Sequence, residues 1–222
     1  MTIPTALATE TGDHPAALLD ELRELTATAP ARARLACWDH VLAASAADDR
    51  ALLDALFAAG TAPQLHGDYE GIIVGKLHGI PGLALLNPVV AIEPGWVGKS
   101  FDAATGTGAN RLDLPAYLAL KAVVPGYRGW VRTGTGYRGF RFTHRVEKAV
   151  LAPHNQVVAV TYTDPALGNP RSRVVPIERV RDEIVELVPG VYLGRAQLRS
   201  TGGELRAIGY FAMRAPRPGV RR

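Results

Sequence analysis

The stretch that most limits how this chain can fold runs from Arg181 to Arg214 and reads RDEIVELVPGVYLGRAQLRSTGGELRAIGYFAMR. Two alternating runs flank Ser200-Thr201-Gly202-Gly203. In the first, Tyr192, Gly194, Ala196 and Leu198 share a face opposite Val191, Leu193, Arg195 and Gln197. In the second, Leu205, Ala207, Gly209, Phe211 and Met213 oppose Arg206, Ile208, Tyr210 and Arg214. Period-two patterning around a glycine turn predicts a hairpin. Each strand then has one face that needs a core and an edge that needs a partner. The rest of the chain must supply both.

Upstream, the pattern repeats. Phe140, Phe142, His144 and Val146 alternate with Arg141, Thr143, Arg145 and Glu147, and Val158, Val160 and Tyr162 alternate with Val157, Ala159 and Thr161. Ile72-Ile73-Val74 opens a strand. Leu83 to Ile92 reads as an edge or bulged strand because Pro88 cannot donate to a ladder. Gly126-Tyr127-Arg128-Gly129-Trp130 and Gly136-Tyr137-Arg138-Gly139-Phe140 read as two similar strand entries. Val174 to Val188 gives one or two more strands. About eight to ten short strands with glycine turns predict a sandwich or a barrel, and full closure is the surest way to remove edges. The expected fold is mainly β within the α+β class: an antiparallel up-and-down barrel behind an N-terminal cap of three helices.

The cap is legible in the leucines. Asp13 and Pro15 open a helix carrying Leu18, Leu19, Leu22 and Leu25. A second helix, from about Ala31 to Ala44, puts Leu35, Trp38, Val41 and Leu42 on its apolar side. Ser45 and Asp48 resemble a capping box for a third, with Leu52, Leu53, Leu56 and Phe57, which stops at Gly60. The expected division is a disordered start at 1–12, a helical cap at 13–60 packed on the barrel, a ligand-binding barrel at 61–214 and a basic flexible tail at 215–222.

Composition removes several function classes. The chain has 222 residues and a net charge of +4, with arginines spread along the strands and a knot at Arg217, Arg221 and Arg222. A nucleic-acid binder would cluster them with aromatics, so no nucleic acid is expected. There is no basic-then-apolar start and no apolar run near about 18 residues, which predicts a cytoplasmic protein without a membrane span. Cys37, the lone cysteine, reads as a small buried hydrophobe. The histidines at 14, 40, 66, 78, 144 and 154 have no metal-ligand spacing, so no metal is expected. Asp102–Asn110, DAATGTGAN, fits neither phosphate-binding glycine pattern and reads as a loop. With no dinucleotide fingerprint and no nucleophile elbow, no cofactor and no hydrolytic triad are expected.

The helical N-terminus, Gly67-Asp68-Tyr69-Glu70-Gly71, Gly95-Trp96-Val97-Gly98-Lys99-Ser100-Phe101-Asp102 and the final Tyr210-Phe211-Ala212-Met213-Arg214 resemble the GXWXG-type bacterial proteins of unknown function. These in turn resemble calycins, the superfamily of lipocalins and fatty-acid-binding proteins. The match covers Leu52–Phe101 and the last strands, and Tyr69 stands where that family has tryptophan. The resemblance implies a small-molecule pocket inside a barrel. It also implies a barrel floor in which Tyr69, on the first strand, meets Arg214, on the last.

Acid–base chemistry is the catalytic class that the residues leave open. His144 shares a face with Phe140 and Phe142, Tyr162 lies on the next strand, and Tyr192 sits beside the small Gly194 and Ala196, which leave room for a ligand. These three are the candidate catalytic groups. Asp164, Asp182 and Glu183 are candidate carboxylate partners, each equally explained as a turn or solvated residue. Phe140, Phe142, Trp96, Tyr137 and Phe211 are the candidate ligand contacts, and Asp102–Asn110 with the helices forms the mouth. The reading is a barrel that binds an apolar or aromatic metabolite. The alternative is a cofactor-free cyclase, isomerase or lyase of specialised metabolism on the same scaffold. A homodimer is compatible with either.

Overall fold

The computed structural model describes residues 14–78, 95–172 and 175–216. The expectations for residues 1–13, for the strand at 83–92 and for Arg217, Arg221 and Arg222 fall outside them. Three helices come first: α1 (His14–Thr28), α2 (Pro30–Ala46) and α3 (Arg50–Ala59). Strands follow: β1 (Gly67–Val74), β2 (Trp96–Asp102) and β3 (Thr107–Leu112), then a helix α4 (Leu114–Val123). After it come β4 (Val131–Thr133), β5 (Gly136–Lys148), β6 (Gln156–Thr161), β7 (Val180–Val188), β8 (Val191–Arg199) and β9 (Leu205–Arg214).

Every strand pairing is antiparallel. The strand order is β3-β2-β1-β9-β8-β7-β6-β5-β4, and β3 also pairs with β5, so eight strands close into an up-and-down barrel with β4 as a short flap on β5. The hairpin of β8 and β9 forms where its alternation places it, from Val191↔Arg214 to Arg199↔Leu205. One bulge interrupts the alternation: Ala196 opposes Gly209 while Gln197 opposes Ala207, leaving Ile208 as the extra residue.

The strands of this hairpin are buried on both faces. Inside, Tyr69, Phe101, Phe142, Val160, Ile184, Tyr192 and Met213 belong to one core. Outside, Val185, Leu187, Val191, Leu193, Tyr210 and Ala212 share a second core with Leu19, Leu22, Trp38, Val41, Leu53 and Phe57 of the helices. Helix α2 buries Ala33, Cys37, Trp38, Val41 and Ala44, a stripe of mostly small residues that permits close approach to α1 and the barrel. Leu35 and Leu42, expected on that face, are 53% and 40% exposed. Burial pushes the Cys37 thiol up to about 12, as suits a packing residue.

A charged lattice fastens the helices to the outer wall. Glu183, fully buried, accepts from Arg195 Nη2 at 3.1 Å, from Arg181 Nε at 3.2 Å and from the Val150 amide at 2.7 Å. The Arg195 guanidinium lies 4.3 Å from the Phe57 ring centre, and Tyr210 donates its hydroxyl hydrogen to Asp54. The α2–α3 corner grips the end of β1. Ser45 Oγ accepts from the Gly75 amide at 2.9 Å and Asp48 Oδ1 from the Lys76 amide at 3.0 Å. These two are therefore not a capping box; Asp49 caps α3, accepting from the Leu52 amide at 3.0 Å.

Three further expectations change. Asp102–Asn110 is the β2–β3 hairpin rather than a loop. Gly126–Trp130 is a turn that leads into β4 rather than a strand. Arg214 does not reach Tyr69: it pairs in register with Glu70, donates to Glu70 Oε2 at 3.3 Å, and lies 4.6 Å from the Trp38 ring centre. Adjacent strand residues point to opposite faces, so Tyr69 goes inside and Glu70, with Arg214, goes out. Among the described residues no helix is long and apolar enough to cross a membrane.

Because the outer core depends on Phe57, which is 1% exposed, Phe57→Ala should cost about 3–5 kcal/mol. Leu35→Ala, at the exposed position on α2, should change stability by no more than about 0.5 kcal/mol. Paired urea unfolding curves check both values. Similar losses in the two variants would show that the helices are not seated as described.

Candidate functional site

The inner face of β2 carries Trp96, Lys99 and Phe101. Three positions separate Trp96 from Lys99, and a bulge between Trp96 and Gly98 keeps both inside. Only glycine fits at 98: φ is +133° and a Cβ there would stand 2.0 Å from the Tyr69 carbonyl oxygen. On β3, Asn110 lies opposite Lys99 in register. On β7, Asp182 shares the inner face with Ile184 and pairs with Val160 of β6, and Tyr162 follows directly after β6.

These four residues form one buried polar cluster. The Lys99 and Asp182 side chains are 3% and 5% exposed, and Lys99 Nζ lies 2.7 Å from Asp182 Oδ2. Lys99 Nζ also donates to Tyr162 Oη at 2.8 Å and to Asn110 Oδ1 at 2.9 Å. Tyr162 donates to Asp182 Oδ2 at 2.9 Å. Asn110 Nδ2 donates to Tyr162 Oη and to the Phe140 carbonyl, both at 3.2 Å, and Trp96 Nε1 donates to Asn110 Oδ1 at 3.0 Å. Three acceptors around one nitrogen at 2.7–2.9 Å are the coordination of an ammonium. The rings of Trp96, Phe142 and Phe211 lie around it with centroids 5.2–5.7 Å away, within reach of cation–π attraction, while Tyr162 meets it through the hydroxyl.

The electrostatics follow from burial. Desolvation holds the Lys99 ammonium below the usual lysine range, opposed by the Asp182 charge. Burial, reinforced by Asp182, pushes the Tyr162 phenol well above its ordinary value. Tyr162 is therefore a neutral donor, and the only charges in the cluster are the paired lysine and aspartate.

Local backbone strain serves the cluster. Phe140 has φ +48°, unusual for a non-glycine residue, and is the bulged residue where β3–β5 pairing shifts between Ala109 and Asn110. The Tyr127 hydroxyl accepts from the Phe140 amide at 2.7 Å, and the Tyr127 ring stacks on Phe140 with centroids 5.2 Å apart. The displaced Phe140 carbonyl then receives Asn110.

Above the cluster lies a cavity of about 260 Å³. Its walls are Ile73, Trp96, Leu112, Phe140, Val180, Ala196 and Phe211, and Ala116 and Leu120 of α4 cover it. Helix α4 is capped by Asp113, which accepts from the Ala116 amide at 2.8 Å. Tyr117 stacks on Tyr137 at 3.7 Å between ring centres. A larger hollow of about 590 Å³ beside Tyr127, Asn169 and Arg171 has no buried ion pair among the described residues.

The structure distributes the sequence candidates unevenly. Trp96, Phe140, Tyr162 and Phe211 line the cavity, as do Asp182 and Ala196. Phe142, fully buried, lies beneath it against Lys99. Tyr137 does not line the cavity; its ring is taken up by Tyr117. Nor do His144 and Tyr192. His144 is half-buried beside the β2–β3 turn, with Nε2 3.3 Å from the Asp102 carbonyl and its ring edge-on to Phe101. Burial lowers its pKa. Tyr192 packs edge-on against Tyr69, and burial raises its pKa. The three candidate catalytic groups thus do not converge on the cavity, because Phe142 and Phe101 fill the barrel between its two ends. Gly194 leaves no room for a ligand either: the Phe211 ring lies where its Cβ would be.

Lys99 and Asn110 went unread in the sequence. The available signal was facial: Lys99 shares alternation with Phe101, and Asn110 with Leu112. Among the described residues no group of three or more His, Cys, Asp or Glu side chains could hold a metal ion.

Removing one charge of the pair should be costly. Lys99→Met and Asp182→Asn each leave an uncompensated partner in the barrel and should each lose about 3–5 kcal/mol. The double variant Lys99→Met/Asp182→Asn should lose far less than the two losses added together. Urea denaturation of the four proteins tests this; additive losses would mean that the two groups do not form a pair.

No protein-family model matches the chain, and no curated protein matches it. The chain is similar to the crystal structure of a protein from Thermomonospora curvata, at 16% identity and a TM-score of 0.44, over 81% of this chain and 97% of that one. A likeness of that degree carries no argument about function.

Proposed function

We propose that the barrel binds a small, predominantly apolar or aromatic metabolite with one polar group, seated in the cavity above Lys99, Asn110, Tyr162 and Asp182. One observation carries this reading: a buried ion pair, joined by Asn110 and Tyr162, lies at the base of a cavity whose other walls are apolar. Burying such a pair costs several kcal/mol per ion before attraction offsets it, and apolar residues of similar volume usually serve stability as well or better. Convergent polar groups at the bottom of an apolar pocket are the usual form of a ligand site. Closed up-and-down barrels hold ligands in this manner, and the GXWXG-type and calycin resemblance of β1 and β2 fits the same reading.

A second reading keeps the pocket and adds chemistry, as a cofactor-free cyclase, isomerase or lyase. The observation favouring it is the chain Lys99–Asp182–Tyr162, in which an ammonium and a phenol share one carboxylate oxygen. In this version Lys99, Tyr162 and Asp182 hold and move the proton, in place of His144 and Tyr192.

Ala196→Phe, which fills the cavity beside Asp182, its cross-strand neighbour, separates pocket from surface binding. Titration of the intact protein with indole should shift the NMR signal of the Trp96 indole N–H, and Ala196→Phe should abolish the shift. An unchanged response in Ala196→Phe would overturn the pocket. If a bound compound is also turned over, Asp182→Asn should slow turnover about 100-fold or more, well beyond its effect on binding. Equal loss of rate and binding would return the site to a binder.

A further inference from the structure

The cluster limits what the ligand's polar group can be, an inference that rests on the pocket reading above. We infer that the ligand presents a neutral hydroxyl, an alcohol or phenol O–H, which donates to Oδ1 of Asp182.

Every donor hydrogen at the base of the cavity is already in use. The three hydrogens of the Lys99 ammonium go to Asp182 Oδ2, Tyr162 Oη and Asn110 Oδ1. The two of the Asn110 amide go to the Phe140 carbonyl and Tyr162 Oη. The Trp96 N–H goes to Asn110 Oδ1, and the Tyr162 O–H goes to Asp182 Oδ2. A ligand carbonyl, ether or nitrile would find no side-chain donor free among the described residues at the base of the cavity.

The acceptors are not balanced in the same way. Tyr162 Oη and Asn110 Oδ1 each receive two hydrogens, and Asp182 Oδ2 receives two. Asp182 Oδ1 receives none among the described residues, although the side chain is 5% exposed and lines the cavity. A carboxylate oxygen in a low-dielectric pocket is a strong acceptor, so this atom selects for a donor. The donor is uncharged because Lys99 already neutralises the carboxylate. A ligand ammonium would bring a second positive charge against the first with one negative charge between them. A site built around one unfilled hydrogen-bonding group discriminates by whether the ligand fills it.

Isosteric probes test this on the wild-type protein. Dissociation constants are measured by NMR titration, following the Trp96 indole N–H, for p-cresol, 4-fluorotoluene, 4-methylanisole and p-tolunitrile, and for benzyl alcohol against benzylammonium. The p-cresol complex should be about tenfold or more tighter than each of its three analogues, and benzyl alcohol should exceed benzylammonium. Asp182→Asn should erase the p-cresol advantage. Tyr162→Phe releases one donor each from Lys99 and Asn110, so p-tolunitrile should gain. Acceptor-only probes that bind wild type as tightly as p-cresol would overturn the hydroxyl assignment and leave the pocket standing. If no probe shifts Trp96 at millimolar concentration, both readings fail.

Discussion

A lysine ammonium sealed inside a β-barrel must be neutralised, and the interior of this molecule is arranged to do it. Lys99 comes from β2, Asn110 from β3, Tyr162 from the end of β6 and Asp182 from β7. No two adjacent residues in sequence contribute, so the barrel must close before the charge is satisfied. The attraction of Lys99 to Asp182 alone would not offset the loss of water around both; the further hydrogen bonds and the nearby rings of Trp96, Phe142 and Phe211 add to it. Two local irregularities are subordinate to it. The bulge at Trp96–Gly98 turns Lys99 inward, and the strained Phe140 offers its carbonyl to Asn110.

The helices address a different difficulty. Strands β7, β8 and β9 are apolar on their outer face as well, and the three N-terminal helices cover that face with a leucine- and alanine-lined surface. Within this outer core, Glu183, Arg195, Arg181, Asp54 and Tyr210 form a second charged lattice. The two lattices sit on opposite sides of β7, at consecutive residues Asp182 and Glu183, as strand alternation requires. One lies at the base of the cavity; the other ties the cap to the wall.

Much of the architecture was legible in the sequence because it depends on period. Alternation around Gly202-Gly203 identified the last hairpin, and the spacing of glycine turns indicated a closed meander. What escaped has particular physical causes. Helix α4 begins with Asp113 followed by Pro115, the same start that marks α1, but it buries no residue fully and has little facial contrast. Leu35 and Leu42 read as core because they are large, whereas the contact on α2 runs through small residues at 33, 37, 41 and 44. Arg214 and Tyr69 are one register step from meeting, and a single step reverses the face. The candidate site was half visible: the aromatic walls, Tyr162 and Asp182 were, whereas Lys99 and Asn110 were not. Lys99 and Asp182 each look solvated within their own strand. They become a site only when closure brings β2 and β7 across the barrel from each other.

Everything at the base of the cavity follows from Lys99 being a charged ammonium held by three acceptors. Heteronuclear NMR of the lysine side-chain nitrogens at neutral pH tests it directly. One lysine should give an ammonium signal whose hydrogens exchange slowly with water, and that signal should vanish in Lys99→Met and lose its protection in Asp182→Asn. A Lys99 nitrogen with the shift of a neutral amine, or one exchanging as fast as a surface lysine, would contradict it.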